Sequence, residues 1–156
     1  MEPHIIARII HVVCVVFWIG GVAMVTTVMI PALRGMDKES EPFKIFHEFE
    51  RRFARQARFT TAMTAASGAF MIHSRDGWSQ IFQGSQWWLH AMIGIWILFS
   101  IMLFIIEPFV LPRMVGKISP RGSRRVFPVM HYLHIVLLIG SVIAIMGGVA
   151  AAHGFL

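Results

Sequence analysis

The chain has 156 residues, of which 56% are hydrophobic and 14% charged, with a formal net charge of +6 and a mean hydropathy of +0.68. This composition argues against a soluble domain and for one small helical membrane domain over residues 1–156, with the lipid bilayer as its main partner. The basic residues sit between apolar runs, where they set topology and meet anionic headgroups, so nucleic acid is not expected as a partner.

The first predicted helix covers about 5–30 and stops before Pro31, since proline removes a backbone donor and clashes with the preceding turn. Its apolar run is too long for a cleaved leader, so it reads as a retained span. Cys14 lies inside it and reads as a small buried hydrophobe; a lone cysteine forms no intramolecular disulfide. Next, Phe43, Phe46, Phe49 and Phe53 recur at steps of three and four, and Glu48 precedes Arg52 by four. This pattern predicts an amphipathic cytoplasmic helix between helices 1 and 2, either an interfacial anchor or an extension of helix 2, with His47 solvated. Helix 2 is predicted over about 59–73 from a weaker signal; Thr60, Thr61, Thr64 and Ser67 suit a helix buried among others. Helix 3 is predicted over about 86–106, ending before Glu107-Pro108, and helix 4 over about 129–152. The fold class is therefore all-α, an integral membrane up-down four-helix bundle.

Charge orients the bundle. Arg34, Lys38, Lys44, Arg51, Arg52, Arg55 and Arg58 follow helix 1, and Arg113, Lys117, Arg121, Arg124 and Arg125 follow helix 3. Only Arg8 and Arg75 fall on the other side. By the positive-inside rule this predicts a multi-pass protein of a bacterial-type inner membrane with both termini outside the cytoplasm.

Histidines in apolar segments point to function, because an imidazole in hydrocarbon is costly without a partner. His11, His73 and His90 all fall at the outer ends of their helices. At 1.5 Å per residue His11 is roughly 9 Å and His90 roughly 6 Å inside its helix start. Helices 1 and 3 are diagonal neighbours in an up-down bundle, so these two imidazoles are predicted to reach one iron from opposite sides, with His73 the alternate. Gly94, one turn from His90, leaves room for a macrocycle; Trp18 walls it, and Arg8 is the nearest base for a propionate. A row of Ala62, Ala66 and Ala69 leads to His73. Close helix packing would use the same small residues, as the stripe of Gly140, Ala144, Gly148 and Ala152 on helix 4 illustrates. His131 and His134 belong to the inner end and read as interfacial side chains near headgroups or Glu107; a second haem there would need Met24, Met29 or Met102 opposite. His4 and His153 read as solvated outer-end groups.

Zinc sites want four ligands, and no acid lies within the outer halves of the helices; Glu2 and Asp76 are the nearest. No pattern suggests hydrolase or kinase chemistry.

Helix 1, with His11, six residues, then Trp18-Ile19-Gly20-Gly21, resembles the first helix of the small four-helix membrane haem proteins grouped around the copper-resistance D domain and the HemJ-type protoporphyrinogen oxidases. The layout of four helices and basic loops is similar over most of the chain. The resemblance implies that His11 is a haem ligand. HemJ-type enzymes are associated with a lysine near the membrane helices, whereas Lys38, Lys44 and Lys117 fall in predicted loops here. The combined reading is a membrane-bound b-type cytochrome whose haem b is held by His11 and His90 in the outer half of the bundle. Two protein ligands leave no open iron site, which favours electron transfer over oxygen chemistry, and an oxidoreductase activity stays open. The sequence names no electron donor or acceptor and leaves a homodimer open. The rival readings are a copper or other metal transport protein, a porphyrinogen oxidase-like enzyme, and a non-catalytic subunit whose histidines only join helices.

Overall fold

In a computed structural model the described residues are 2–36, 42–82, 86–110 and 120–155, with the backbone alone at 43, 80, 110 and 120–127. Their regular structure is entirely helical. Helix α1 spans Pro3–Arg34, α2 spans Pro42–His73, and a short 3-10 turn covers Gly77–Phe82. Helix α3 runs over Trp87–Ile101 and continues as a π-helix over Met102–Val110. Helix α4 spans Pro120–Ala152. Three helices, α1, α3 and α4, are long and apolar enough to cross a membrane, and their outward faces fit a bilayer: Val16, Phe17, Val136 and Met146 all lie in the open.

Several boundaries differ from the sequence expectation, each for a physical reason. Helix α2 is one unbroken rod from Pro42, so the amphipathic segment placed between helices 1 and 2 is its first half. Nothing in residues 55–60 breaks a helix, and the change from polar to apolar there marks an environment, not an end. Phe46 and Phe53 do not lie on a membrane surface: Phe46 is 1% exposed among Val25, Ile30 and Leu33, and Phe53 packs on Gly21. Phe49 stays exposed. Lys44, expected in a loop, is in the first turns of α2. Helix α4 begins nine residues earlier than expected, at Pro120. Lys38, Arg113 and Lys117 and the side chains of Phe43, Arg121, Arg124 and Arg125 lie outside the described residues.

Pro31 and Pro108 do not stop their helices. Residues Val25–Met29 form a π segment, in which the Ile30 N–H reaches five residues back to the Val25 carbonyl. Widening the turn moves each carbonyl away from the proline ring and shifts the partner by one residue. Continued one step, this register pairs the Thr26 carbonyl with the nitrogen of Pro31, which has no hydrogen. His131 of α4 supplies the missing donor, Nε2 to Thr26 O at 3.1 Å. The same arrangement recurs on α3. Pro108 lies within the π-helix Met102–Val110, its register partner is the Leu103 carbonyl, and Arg58 of α2 donates to that oxygen from Nε at 3.0 Å. At Pro31 and Pro108 the vacant carbonyl is thus covered by a side chain from another helix, as buried carbonyls require.

Contacts fix the pairwise directions. Along α1, His11 meets Thr64 of α2, Gly21 meets Phe53, and Ile30 and Leu33 meet Phe46, an antiparallel order. On α4, Gly140 meets Ile95 of α3 while Gly147 meets Trp87 and Trp88, again antiparallel. Helices α2 and α3 join through Trp96 Nε1, which donates to Thr61 O at 3.0 Å. Across the middle, Trp18 of α1 and Phe99 of α3 pack edge to face, with ring centroids 4.9 Å apart and planes at 83°. They centre a core that includes Val22, Ala57, Leu103 and Leu137. Thr60, Thr61, Thr64 and Ser67 are buried along α2, and hydroxyls such as Thr64 Oγ1, 2.8 Å from Thr60 O, bond back to their own helix, which lets them sit in an apolar interior.

Candidate functional site

His11 is half-buried where the N-terminal part of α1 meets the last turns of α2. Its Nδ1 lies 3.0 Å from Thr64 O and 3.2 Å from Ser67 Oγ. Ser67 sends its own hydrogen toward Met63 O at 2.6 Å, so its oxygen is an acceptor for the ring. Both partners accept, which assigns the hydrogen to Nδ1 and leaves the Nε2 lone pair without a hydrogen bond among the described residues. Gly68 makes the space, because a Cβ there would stand 3.3 Å from His11 Cε1. Thr64, Ser67 and Gly68 follow at i, i+3 and i+4 and share one face of α2. An imidazole held at Nδ1 by a backbone carbonyl, with Nε2 available, is the arrangement by which proteins fix a histidine for a metal. The donor set at this position therefore fits an iron ligand.

The other predicted ligands are differently engaged. His90 is exposed near the start of α3, with Nδ1 2.9 Å from Gln86 O and Nε2 2.7 Å from Ile81 O. With carbonyls facing both nitrogens, the ring must turn off Ile81 before Nε2 can meet a metal. His73, also exposed, accepts at Nδ1 from Trp78 Nε1 at 3.4 Å, the tautomer opposite to that of His11. Among the described residues no three His, Cys, Asp or Glu side chains are grouped to hold a metal ion.

Trp18 is 4% exposed in the core against Phe99, and its Nε1 is buried without a partner. Two other interior hydroxyls, Thr61 Oγ1 and Ser100 Oγ, are likewise unpartnered, so polar groups near the core have bonding capacity to spare. Gly94 looks outward, and a Cβ there meets nothing within 4 Å. Arg8 is exposed on the first turns of α1, Cys14 is buried, and His4 pairs with Glu2 at 3.2 Å. His153 Nδ1 bonds Val149 O of its own helix at 2.9 Å.

At the opposite end, the structure gives His131 and His134 more definite roles than interfacial side chains. His131 Nδ1 lies 3.0 Å from Arg34 Nη1 while Nε2 donates to Thr26 O, so the ring joins α1 and α4 as a neutral bridge. His134 is 7% exposed, with Nδ1 on Met130 O at 2.9 Å. Glu107 pairs with Arg58, Nη2 to Oε2 2.6 Å, and is only 14% exposed. Beside them Glu50 is pushed up to about 7, first by burial and then by the Glu107 carboxylate. His47 Nδ1 approaches Glu50 Oε2 to 4.0 Å. Sequence reasoning missed Arg58, His131 and Gly68. The only signal for the first two was a proline inside each of two apolar runs, which implies an unmatched carbonyl but not the residue that covers it.

Neither a family model, nor a curated protein, nor a solved structure matches the chain.

Proposed function

We propose that the chain is an up-down four-helix membrane bundle that holds one haem b in its outer half and passes electrons, with His11 as the anchoring ligand. The observation that carries this reading is the His11 tautomer: Nδ1 on Thr64 O and Ser67 Oγ, Nε2 without a hydrogen bond among the described residues, and Gly68 leaving room for the ring. His90 is the second ligand, released from the Ile81 carbonyl on binding, and His73 is its alternate. Haem would supply a one-electron couple, and two imidazoles leave the iron closed to oxygen chemistry. The chain's own residues orient the His11 ring through the Thr64 carbonyl and keep bulk water from the core around Trp18. Arg8, on the same outer end, is the base for a propionate.

The resemblance of helix 1 to the copper-resistance D and HemJ-type haem proteins agrees with this reading. Twelve of the fourteen basic residues fall in sequence after helix 1 or after helix 3, which supports an inner-membrane protein with both termini outside and the polar first half of α2 in the cytoplasm. The test is a visible spectrum of protein purified with haem supplied. A sharp Soret band with reduced α and β bands is expected, lost in His11→Ala and kept in His4→Ala. A colourless preparation, or an unchanged spectrum in His11→Ala, overturns the assignment; an unchanged spectrum in His90→Ala moves the second ligand to His73.

A further inference from the structure

Hydroxyls inside a membrane helix commonly return to a carbonyl three or four residues back, and those of Thr26, Thr60, Thr64, Ser67 and Ser141 all do so. Two interior hydroxyls do not. Thr61 Oγ1 on α2 and Ser100 Oγ on α3 are buried without a hydrogen bond, and so is Trp18 Nε1 on α1. Trp18 is 4% exposed and Thr61 0%, so neither reaches lipid or bulk water. The indole of Trp96 shows the contrast, since its Nε1 donates to Thr61 O at 3.0 Å. The three unpartnered groups share one layer of the bundle. His11 meets Thr64 and Gly21 meets Phe53, so Trp18, between them on α1, stands level with Ala57, which belongs to the same core. On α3, Trp96 reaches Thr61 and Leu103 receives Arg58, so Ser100 falls between those two levels. The Trp18 ring is 4.9 Å from that of Phe99, the residue before Ser100. Ala57 to Thr61 is about one turn, roughly 6 Å of height.

We infer that a buried water molecule is bound between α1, α2 and α3 by Trp18 Nε1, Thr61 Oγ1 and Ser100 Oγ. An indole can only donate, whereas each hydroxyl both donates and accepts. None of the three bonds another directly, and a water between them supplies what each lacks. Its oxygen accepts from the indole and from one hydroxyl, and its hydrogens go to the hydroxyl oxygens. Two to four polar partners is the number that holds a water inside a protein. Hydrocarbon offers these groups nothing in exchange, so the membrane sharpens the need. The bound water links three helices at a level otherwise held by apolar packing around Phe99 and Leu137. It lies about two turns of α1 below His11 and does not depend on what that imidazole binds.

The experiment measures denaturant unfolding of the full chain in detergent micelles, where the sign of one change decides. Thr61→Val keeps the shape and removes the hydroxyl. With water bound, the variant loses a hydrogen bond, and its unfolding constant rises about fivefold. In a dry core the hydroxyl is only a desolvation cost, so valine leaves the constant unchanged or lowers it, and either result overturns the site. Ser100→Ala also raises the constant about fivefold, and the double variant stays near about fivefold, because both changes act on one water. A double effect near about twenty-fivefold shows two independent groups and overturns the shared ligand. Thr60→Val is the control: its hydroxyl bonds its own helix, so its effect multiplies with that of Ser100→Ala. A second measurement does not use stability. In protein labelled with nitrogen-15 at the indoles, the Trp18 N–H, identified by its loss in Trp18→Phe, gives a nuclear Overhauser cross-peak at the water frequency that Thr61→Val removes. A Trp18 indole without that cross-peak overturns the inference even if a core variant fails to fold.

Discussion

Arg58→Met removes two bonds at once, and the structure sets what each is worth. The Nε donor to Leu103 O at 3.0 Å is the substitute for the hydrogen that Pro108 lacks, and a buried carbonyl left unpaired costs about 1–3 kcal/mol. The ion pair to Glu107 joins a side chain 14% exposed to one 33% exposed; water screens the arginine, so about 1 kcal/mol is a fair value. The expected loss is about 2–4 kcal/mol, read from denaturant unfolding in detergent micelles by far-ultraviolet circular dichroism. Glu107→Gln isolates the ion pair and costs only about 1 kcal/mol, because the Leu103 bond survives. The decisive variant is Pro108→Ala. It restores an N–H opposite Leu103, so in the Arg58→Met background it recovers about 1 kcal/mol more than it gains in the wild-type chain. If Pro108→Ala has the same effect in both backgrounds, the guanidinium does not stand in for the proline's missing donor, and the account of the π segment is wrong.

The matching site on α1 behaves alike: His131→Phe leaves Thr26 O unpaired and costs about 1–2 kcal/mol, recovered in part by Pro31→Ala and in no part by substitutions elsewhere on α1. Glu50 binds its proton more tightly folded than unfolded, so its contribution is full at low pH and is lost as pH rises from the ordinary carboxylate range through about 7. The groups acting on it are Glu107, by its charge, and His47, with Nδ1 4.0 Å from Oε2, and Glu50→Gln flattens the dependence of the unfolding midpoint between pH 5 and 8 while raising stability at the alkaline end; an unchanged slope would remove Glu50 as its source. Gly94→Leu points into open space and leaves the stability of the haem-free protein within about 0.5 kcal/mol, whereas Gly21→Leu drives into the Phe53 ring and costs about 1–3 kcal/mol by the same unfolding assay. A drop in haem content in Gly94→Leu would then report on the ligand site rather than on helix packing.

The helical class and the apolar spans of α1, α3 and α4 were readable from residues alone, because hydropathy reflects each segment's own environment. So was the burial of Thr60, Thr61, Thr64 and Ser67 along α2, since small residues suit a helix packed among others, and the hydroxyls of Thr60, Thr64 and Ser67 close their bonds on their own helix. His11 stood out in the sequence because an imidazole in an apolar run is costly whatever surrounds it. Tertiary structure alone decided the rest. Pro31 and Pro108 read as helix ends, since local rules see only a lost donor; the π turns continue because His131 and Arg58, 100 and 50 residues away in the chain, cover the vacant carbonyls. The Phe46 and Phe53 stripe read equally as an interfacial anchor or as an extension of helix 2, and the packing of α1 against an unbroken α2 decides for the extension. His11 and His90 carried the same apolar signal, and their difference in tautomer and engagement depended on which carbonyl each ring met: Thr64 on another helix for one, Gln86 and Ile81 nearby for the other. Periodicity reports which face of a helix is buried, but only the packed structure says which atom lies opposite a given nitrogen.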